Sequence, residues 1–251
     1  MRSIPFFKKL TVVALLSLTI PVFVSCSKTE ATPTPVKQHW VKVYKDVILG
    51  DQDNSTYGQF LKSQTGESVL LNSAKSQAQY LSMMYFTGYN NGAYLTFPGN
   101  MASTGDLDLD TNPLLHDTQN GIDSWAQTDV NTGEILRASY GYINGSSQLD
   151  FMKPAEFNEL ITNPTWDKFA AKYKACNSGS LDLDFVNNYV FPANGDIYLV
   201  QLNNTVRAIV YVKSVVTSGN NGGSLKCDII IEGSDENTGN SNAQNIQPSK
   251  D

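Results

Sequence analysis

The sequence predicts an α+β fold, mainly antiparallel β: one sheet-based domain of hairpins with a C-terminal meander and a small helical pair. Three observations predict it. Asn-Gly occurs at 91, 120, 144, 194 and 221, and this dipeptide favours the two-residue hairpin turn with positive φ at both centres. Apolar residues recur every second position along Val206, Ala208, Val210, Val212 and again along Leu225, Cys227, Ile229, Ile231. That is the period of antiparallel strands with one buried face. Only residues 154–173 switch to helical three-and-four spacing.

In chain order, His39 to Leu49 supplies Trp40, Val41, Val43, Tyr44, Val47, Ile48 and Leu49, a first strand or pair of strands. Residues 50–66 are polar and turn-rich, and Ser68 to Leu71 is a short strand. Ser73 caps a short helix reaching Gln79, and Tyr80 to Thr87 is an apolar core strand. Asn91-Gly92 then joins 80–89 to 93–97, and Asn144-Gly145 joins 135–143 to 146–152. Asn194-Gly195 joins 189–192 to 196–202, Asn203-Asn204 turns into 205–215, and 220–223 returns into 224–232. Between these hairpins, Pro154 opens a helix with Phe157, Leu160 and Ile161 on one side. Asn163 caps a second helix with Pro164 at its first position and Trp166, Phe169, Ala170 and Tyr173 as its apolar stripe. The pair is expected to cover an open face or end of the sheet. The globular domain thus spans 39–232, and 233–251, nearly devoid of apolar residues, is expected to be a disordered tail.

The first 25 residues have a different character. Arg2, Lys8 and Lys9 precede an apolar run from Leu10 to Val24, closed by Ser25-Cys26. That is a secretory signal. A membrane-spanning helix needs roughly 20 apolar residues, more than this Pro21-interrupted run supplies. The leader resembles that of a bacterial lipoprotein, which implies that Cys26 becomes the acylated first residue of the mature chain. Phe23 and Val24 depart from the usual Leu and small residue of such leaders, while Ser25-Cys26 keeps the essential pair. A lone fatty chain binds a membrane only marginally, and the diacylglyceryl cysteine that the resemblance implies supplies more than one chain. Ser27 rather than Asp after the cysteine implies the outer membrane, its periplasmic or surface side left open. Residues 26–38, with Pro33 and Pro35, form the tether.

Without the three basic residues of the signal, 15 basic face 24 acidic residues, a net charge of −9. Such a chain repels nucleic acid and anionic headgroups, so the membrane is reached through the lipid and nucleic acid is not an expected partner. An oxidising compartment permits Cys176 and Cys227 to pair; the alternative is two buried thiols.

Further resemblance lies in the loop Gly50-Asp51-Gln52-Asp53-Asn54 and in Ala74 and Gln77 ahead of a strand. The run Asn158-Glu159-Leu160-Ile161-Thr162-Asn163 and the meander Asp196-Ile197-Tyr198-Leu199-Val200 with Val210-Tyr211-Val212-Lys213 add to it. Over most of residues 45–232 the chain resembles the uncharacterised envelope lipoproteins abundant in the Bacteroidetes. The resemblance implies no assigned activity and transfers no functional residue.

Catalytic chemistry has little to stand on. There is no Gly-x-Ser-x-Gly, and the histidines are His39 at the tether edge and His116 beside Asp117, so no catalytic residue and no cofactor is expected. Asp106, Asp108 and Asp110 alternate with leucines, which in an extended chain puts three carboxylates on one side. Leu181-Asp182-Leu183-Asp184-Phe185 repeats the pattern, and Asp51, Asp53 and Asn54 form a third acidic group. Such clusters either bind Ca²⁺ or guard a solvated sheet edge. Trp40, Tyr57, Tyr89, Tyr94, Trp125, Tyr140 and Tyr142 near loops and hairpin ends suit glycan or protein binding, or belong to the core. The expected function is a non-enzymatic, lipid-anchored envelope protein that binds glycan or protein. The alternative is a secreted hydrolase acting on carbohydrate or peptide through paired carboxylates.

Overall fold

Strands built from the alternating segments form two antiparallel sheets rather than one. In the computed structural model the described residues are 39–106, 109–139, 141–143, 147–149, 152–178, 187–203, 206–218 and 222–234. The strands run β1 (His39–Gly50), β2 (Phe60–Lys62), β3 (Glu67–Val69), β4 (Leu81–Thr87), β5 (Ala93–Thr96), β6 (Gly133–Arg137), β7 (Gly141–Ile143), β8 (Ser147–Leu149), β9 (Tyr189–Val190), β10 (Ile197–Leu202), β11 (Val206–Val216) and β12 (Ser224–Ser234). Helices are α1 (Leu71–Ala74), α2 (Pro113–His116), α3 (Pro154–Thr162) and α4 (Trp166–Ser178). The first sheet has the order β1-β12-β11-β10-β6 and the second β3-β2-β4-β5-β9, each of 5 strands, while β7 and β8 pair alone. Among the described residues no helix is long and apolar enough to cross a membrane.

Three apolar layers hold these sheets. Between them pack Leu49, Leu61, Tyr85, Leu95, Val200, Val210 and Ile229. On the outer face of the first sheet, Phe157 and Leu160 of α3 and Phe169 and Tyr173 of α4 meet Leu199, Ile209 and Ile230. On the outer face of the second sheet, Ala74, Ala78, Met101, Leu114 and Trp125 cover Phe60, Met84 and Phe86. The expectation of one buried face is therefore corrected: both faces of each sheet are covered. This explains why all seven residues of β4 are buried, since consecutive side chains enter different layers. Each large apolar side chain so buried contributes about 1.5–3 kcal/mol.

β1 changes phase midway. Its register on β12 slips between Tyr44 and Val47, and Asp46 there has φ +57°. Before the bulge, Val41 and Val43 pack on the helix side; after it, Val47 and Leu49 enter the layer between the sheets. One inserted residue thus lets a single strand feed two layers.

Several turns and caps differ from expectation. In the β4–β5 connection the positive φ values fall on Asn90 and Asn91, not on Gly92. Asn194-Gly195 does not close a hairpin, because β9 belongs to the second sheet and β10 to the first. The second helix begins at Trp166, and the Thr165 carbonyl accepts the Phe169 N–H at 3.1 Å, so Asn163 is not its cap. The first short helix starts at Leu71, ahead of Ser73. β12 runs to Ser234, past the expected end at 232. Cys26, its tether and the tail beyond Ser234 lie outside the described residues.

Candidate functional site

Two of the predicted acidic residues, Asp106 and Asp51, are engaged by structural contacts. Asp106 is buried, and both of its carboxylate oxygens accept the Tyr89 N–H, at 3.1 and 3.2 Å. Gly88 is required there because a Cβ would overlap Asp106 Oδ2. Leu109–Thr111 is a 3-10 turn with Asp110 exposed, and Asp108 lies outside the described residues. The extended conformation that would put the carboxylates on one side is not adopted at Leu109–Thr111. The repeat at 181–185 also lies outside the described residues. Among the described residues, no three His, Cys, Asp or Glu side chains gather at metal-holding distance.

Asp51 serves as a buried knot. Its Oδ2 accepts the Thr87 hydroxyl at 2.8 Å and the Gly223 N–H at 2.6 Å, and its Oδ1 accepts the Asp53 N–H at 3.1 Å. Asn54 donates to the Gly223 carbonyl at 3.0 Å, and Gln59 donates to the Asp51 carbonyl at 2.8 Å. The ends of β1 and β4 and the start of β12 are thereby joined, and the group's oxygens are spent on protein donors.

The other buried carboxylates are equally engaged. Asp196 takes Arg137 and, at 2.6 Å, the Tyr198 hydroxyl. Asp228 takes Lys213 at 2.7 Å and the Asp46 N–H at 2.7 Å. Glu232 receives Arg207 through two bonds of 2.6 Å and the Trp166 Nε1–H at 3.3 Å. His116 pairs through Nδ1 with Asp123 at 2.7 Å rather than with Asp117, whose carboxylate caps the Asn120 and Gln119 N–H groups. His39 stacks on Trp166 at 4.3 Å.

Cys176 and Cys227 are both buried and form no bridge to each other. Cys176 belongs to the layer beneath α3 and α4, whereas Cys227 belongs to the layer between the sheets. They lie on opposite faces of the first sheet, so the disulfide expectation is corrected to two separate thiols. Burial pushes both thiols up from their ordinary value.

A groove of about 430 Å³ runs along β1, lined by Val43 to Ile48 on one wall and by Tyr57, Thr65, Gly66 and Ser68 on the other. Tyr44 closes its floor: its ring lies over Gly66, and its hydroxyl donates to the Gln64 carbonyl at 2.5 Å. Burial pushes that phenol up to about 12, so it remains a donor at neutral pH. Asp46 at the rim is held by Lys226 at 2.9 Å and Lys213 at 3.0 Å, hydrogen bonds that lower its carboxyl pKa. A smaller cavity of about 250 Å³ is lined by Asn100, Ser103, Thr132, Glu134 and Asn188.

Protein families, curated proteins and solved structures were compared with this chain, and none matches.

The predicted aromatic surface divides. Trp125 is buried and donates through Nε1 to the Asn120 carbonyl, Tyr94 stacks on Phe86 at 4.7 Å, and Trp40 packs on the core. Tyr57 and Tyr89 are exposed, but Tyr57 alone lines the groove. Tyr140 and the Tyr142 side chain lie outside the described residues. The sequence reading missed Tyr44, Lys45, Asp46, Thr65 and Ser68. Its one available signal was the polar pair Lys45-Asp46 interrupting a strand.

Proposed function

We propose that this chain is an exported lipoprotein of the bacterial envelope, anchored by acylated Cys26 at the outer membrane, which acts by binding a ligand in the groove beside β1. The observation that carries the anchor is the leader itself: three cations, an apolar run too short and Pro-broken to span, and Ser25-Cys26 at its end. The resemblance to Bacteroidetes envelope lipoproteins supports the same reading. Binding rather than hydrolysis is favoured because the buried carboxylates Asp51, Asp106, Asp196, Asp228 and Glu232 already hold protein donors. A general acid or nucleophile must instead be free to meet substrate. The groove offers one exposed tyrosine ring, two hydroxyl side chains, an ammonium and exposed backbone, the groups with which a polar ligand is held.

Growth of cells with an alkyne-tagged fatty acid tests the anchor. The wild-type chain is expected to take the label and sediment with membranes, and Cys26→Ala is expected to lose both. Equal labelling of the two would overturn it.

A further inference from the structure

We infer that the groove takes an extended, acidic peptide, which adds to the first sheet as a strand on the free edge of β1; this rests on the reading of the groove as the ligand site. The hydrogen-bonding direction of each strand follows from its neighbours, because backbone groups alternate sides along an antiparallel strand. Val212 turns its N–H and C=O toward the β10 side, donating to the Asp196 carbonyl and accepting from the Gly195 N–H, both at 2.8 Å. Tyr211 and Ile209 therefore face β12, as do their partners Asp228 and Ile230 toward β11. It follows that Cys227, Ile229 and Ile231 face β1, and that their partners Val47, Tyr44 and Lys42 face β12. Val41, Val43 and Ile48 are left pointing outward. The strand's end agrees: Gly50, in phase with Ile48, donates outward to the Gly58 carbonyl at 2.9 Å, while Asp51 donates inward to the Gly223 carbonyl at 3.0 Å.

The outward N–H and C=O groups of Val43 and Ile48 thus line a groove, and no backbone bond from the described residues reaches them. A row of alternating donors and acceptors is matched by another extended backbone, whereas a sugar offers hydroxyls at no such repeat. The bulge at Asp46 splits this edge into two short runs, which discourages pairing with the long edge of a second copy and suits a short segment. Charge selects the sign of the partner. Of the two charged side chains in the groove, Asp46 is neutralised by Lys213 and Lys226, while Lys45 is exposed and makes no ion pair among the described residues. The groove therefore offers an uncompensated cation on a mature chain of net charge −9.

The test pans a random peptide display library against the full-length lipidated chain in detergent micelles, beside an array of bacterial glycans. The inference expects enriched peptides carrying Asp or Glu. It expects their affinity to fall at least tenfold in Val43→Pro and Ile48→Pro, which remove outward donors and spare the bonds to β12. Lys45→Glu, an exposed change that leaves folding untouched, is expected to weaken the same peptides and to restore binding of their Lys-substituted versions. Melting curves on the proline variants confirm the folded state. Peptides that bind the wild type, Lys45→Glu and both proline variants alike would overturn the inference. Glycan hits lost in Tyr57→Ala, without peptide hits, would overturn the peptide and keep the groove. Neither kind of hit would overturn the groove reading as well, while fatty-acid labelling of Cys26 reports on the anchor independently.

Discussion

Val210 and Lys226 show how differently two meander residues contribute. Val210 is fully buried between the sheets, so Val210→Ala removes apolar contacts and leaves a void; about 1–3 kcal/mol of stability is expected to be lost. Lys226 is 40% exposed and pairs with exposed Asp46, so Lys226→Ala is expected to cost no more than about 0.5–1 kcal/mol. Urea melts of the two variants check the order, and a reversal would mean that the strand faces are assigned wrongly. The inward face of Val210, and of Cys227 with it, was legible in the alternation alone. Asp51 and Asp106 were not legible as knots. Acidic residues in turn-rich sequence look the same whether their oxygens meet a cation or the N–H of a distant strand, here Gly223 and Tyr89. The disulfide failed for a related reason: alternation places Cys227 on an apolar face without saying which layer that face enters.

The bulge of β1 was the element hardest to read. Val41, Val43, Val47 and Leu49 are all odd-numbered, so uninterrupted alternation puts them on one side, whereas the one inserted residue sends the first pair to the helices and the second to the other sheet. The bulge is also where pH acts. Hydrogen bonds from Lys226 and then Lys213 hold the Asp46 carboxyl below its ordinary value of 3.8, and Lys172 does the same for Glu156. A carboxyl lowered in the folded state contributes stability that is fully present above the unfolded value and is lost as pH falls through the folded one. Melting temperature should therefore drop below about pH 4, and Asp46→Asn should flatten part of that drop. An unchanged acid limb in Asp46→Asn would separate the bulge from the acid response. By contrast the hairpins around β4–β5, β10–β11 and β11–β12 were legible, because turn residues punctuate short apolar runs whatever the sheets later do. Asn194-Gly195 misled because the same turn can join strands of two different sheets.

At the scale of the molecule, two sheets covered on both outer faces account for a composition that reads as β-rich yet carries continuous apolar runs such as Leu81–Thr87. The sequence revealed fold class and helical pair but not the second sheet, since pairing between β5 and β9 joins residues far apart in the chain. One global consequence concerns calcium. With Asp106 committed to Tyr89 and Asp51 to Thr87 and Gly223, about 10 mM Ca²⁺ should raise the melting temperature no more than sodium at matched ionic strength. A calcium-specific rise abolished by Asp108→Asn would reverse this. The functional account itself turns on the open edge of β1, and residue-resolved amide hydrogen exchange on the free, full-length chain measures that edge most directly. The N–H groups of Val43 and Ile48 should exchange nearly as fast as in an unfolded peptide, while those of Lys42, Tyr44 and Val47 exchange orders of magnitude more slowly behind their bonds to β12. Protection of Val43 and Ile48, or fast exchange at Tyr44 and Val47, would contradict the account.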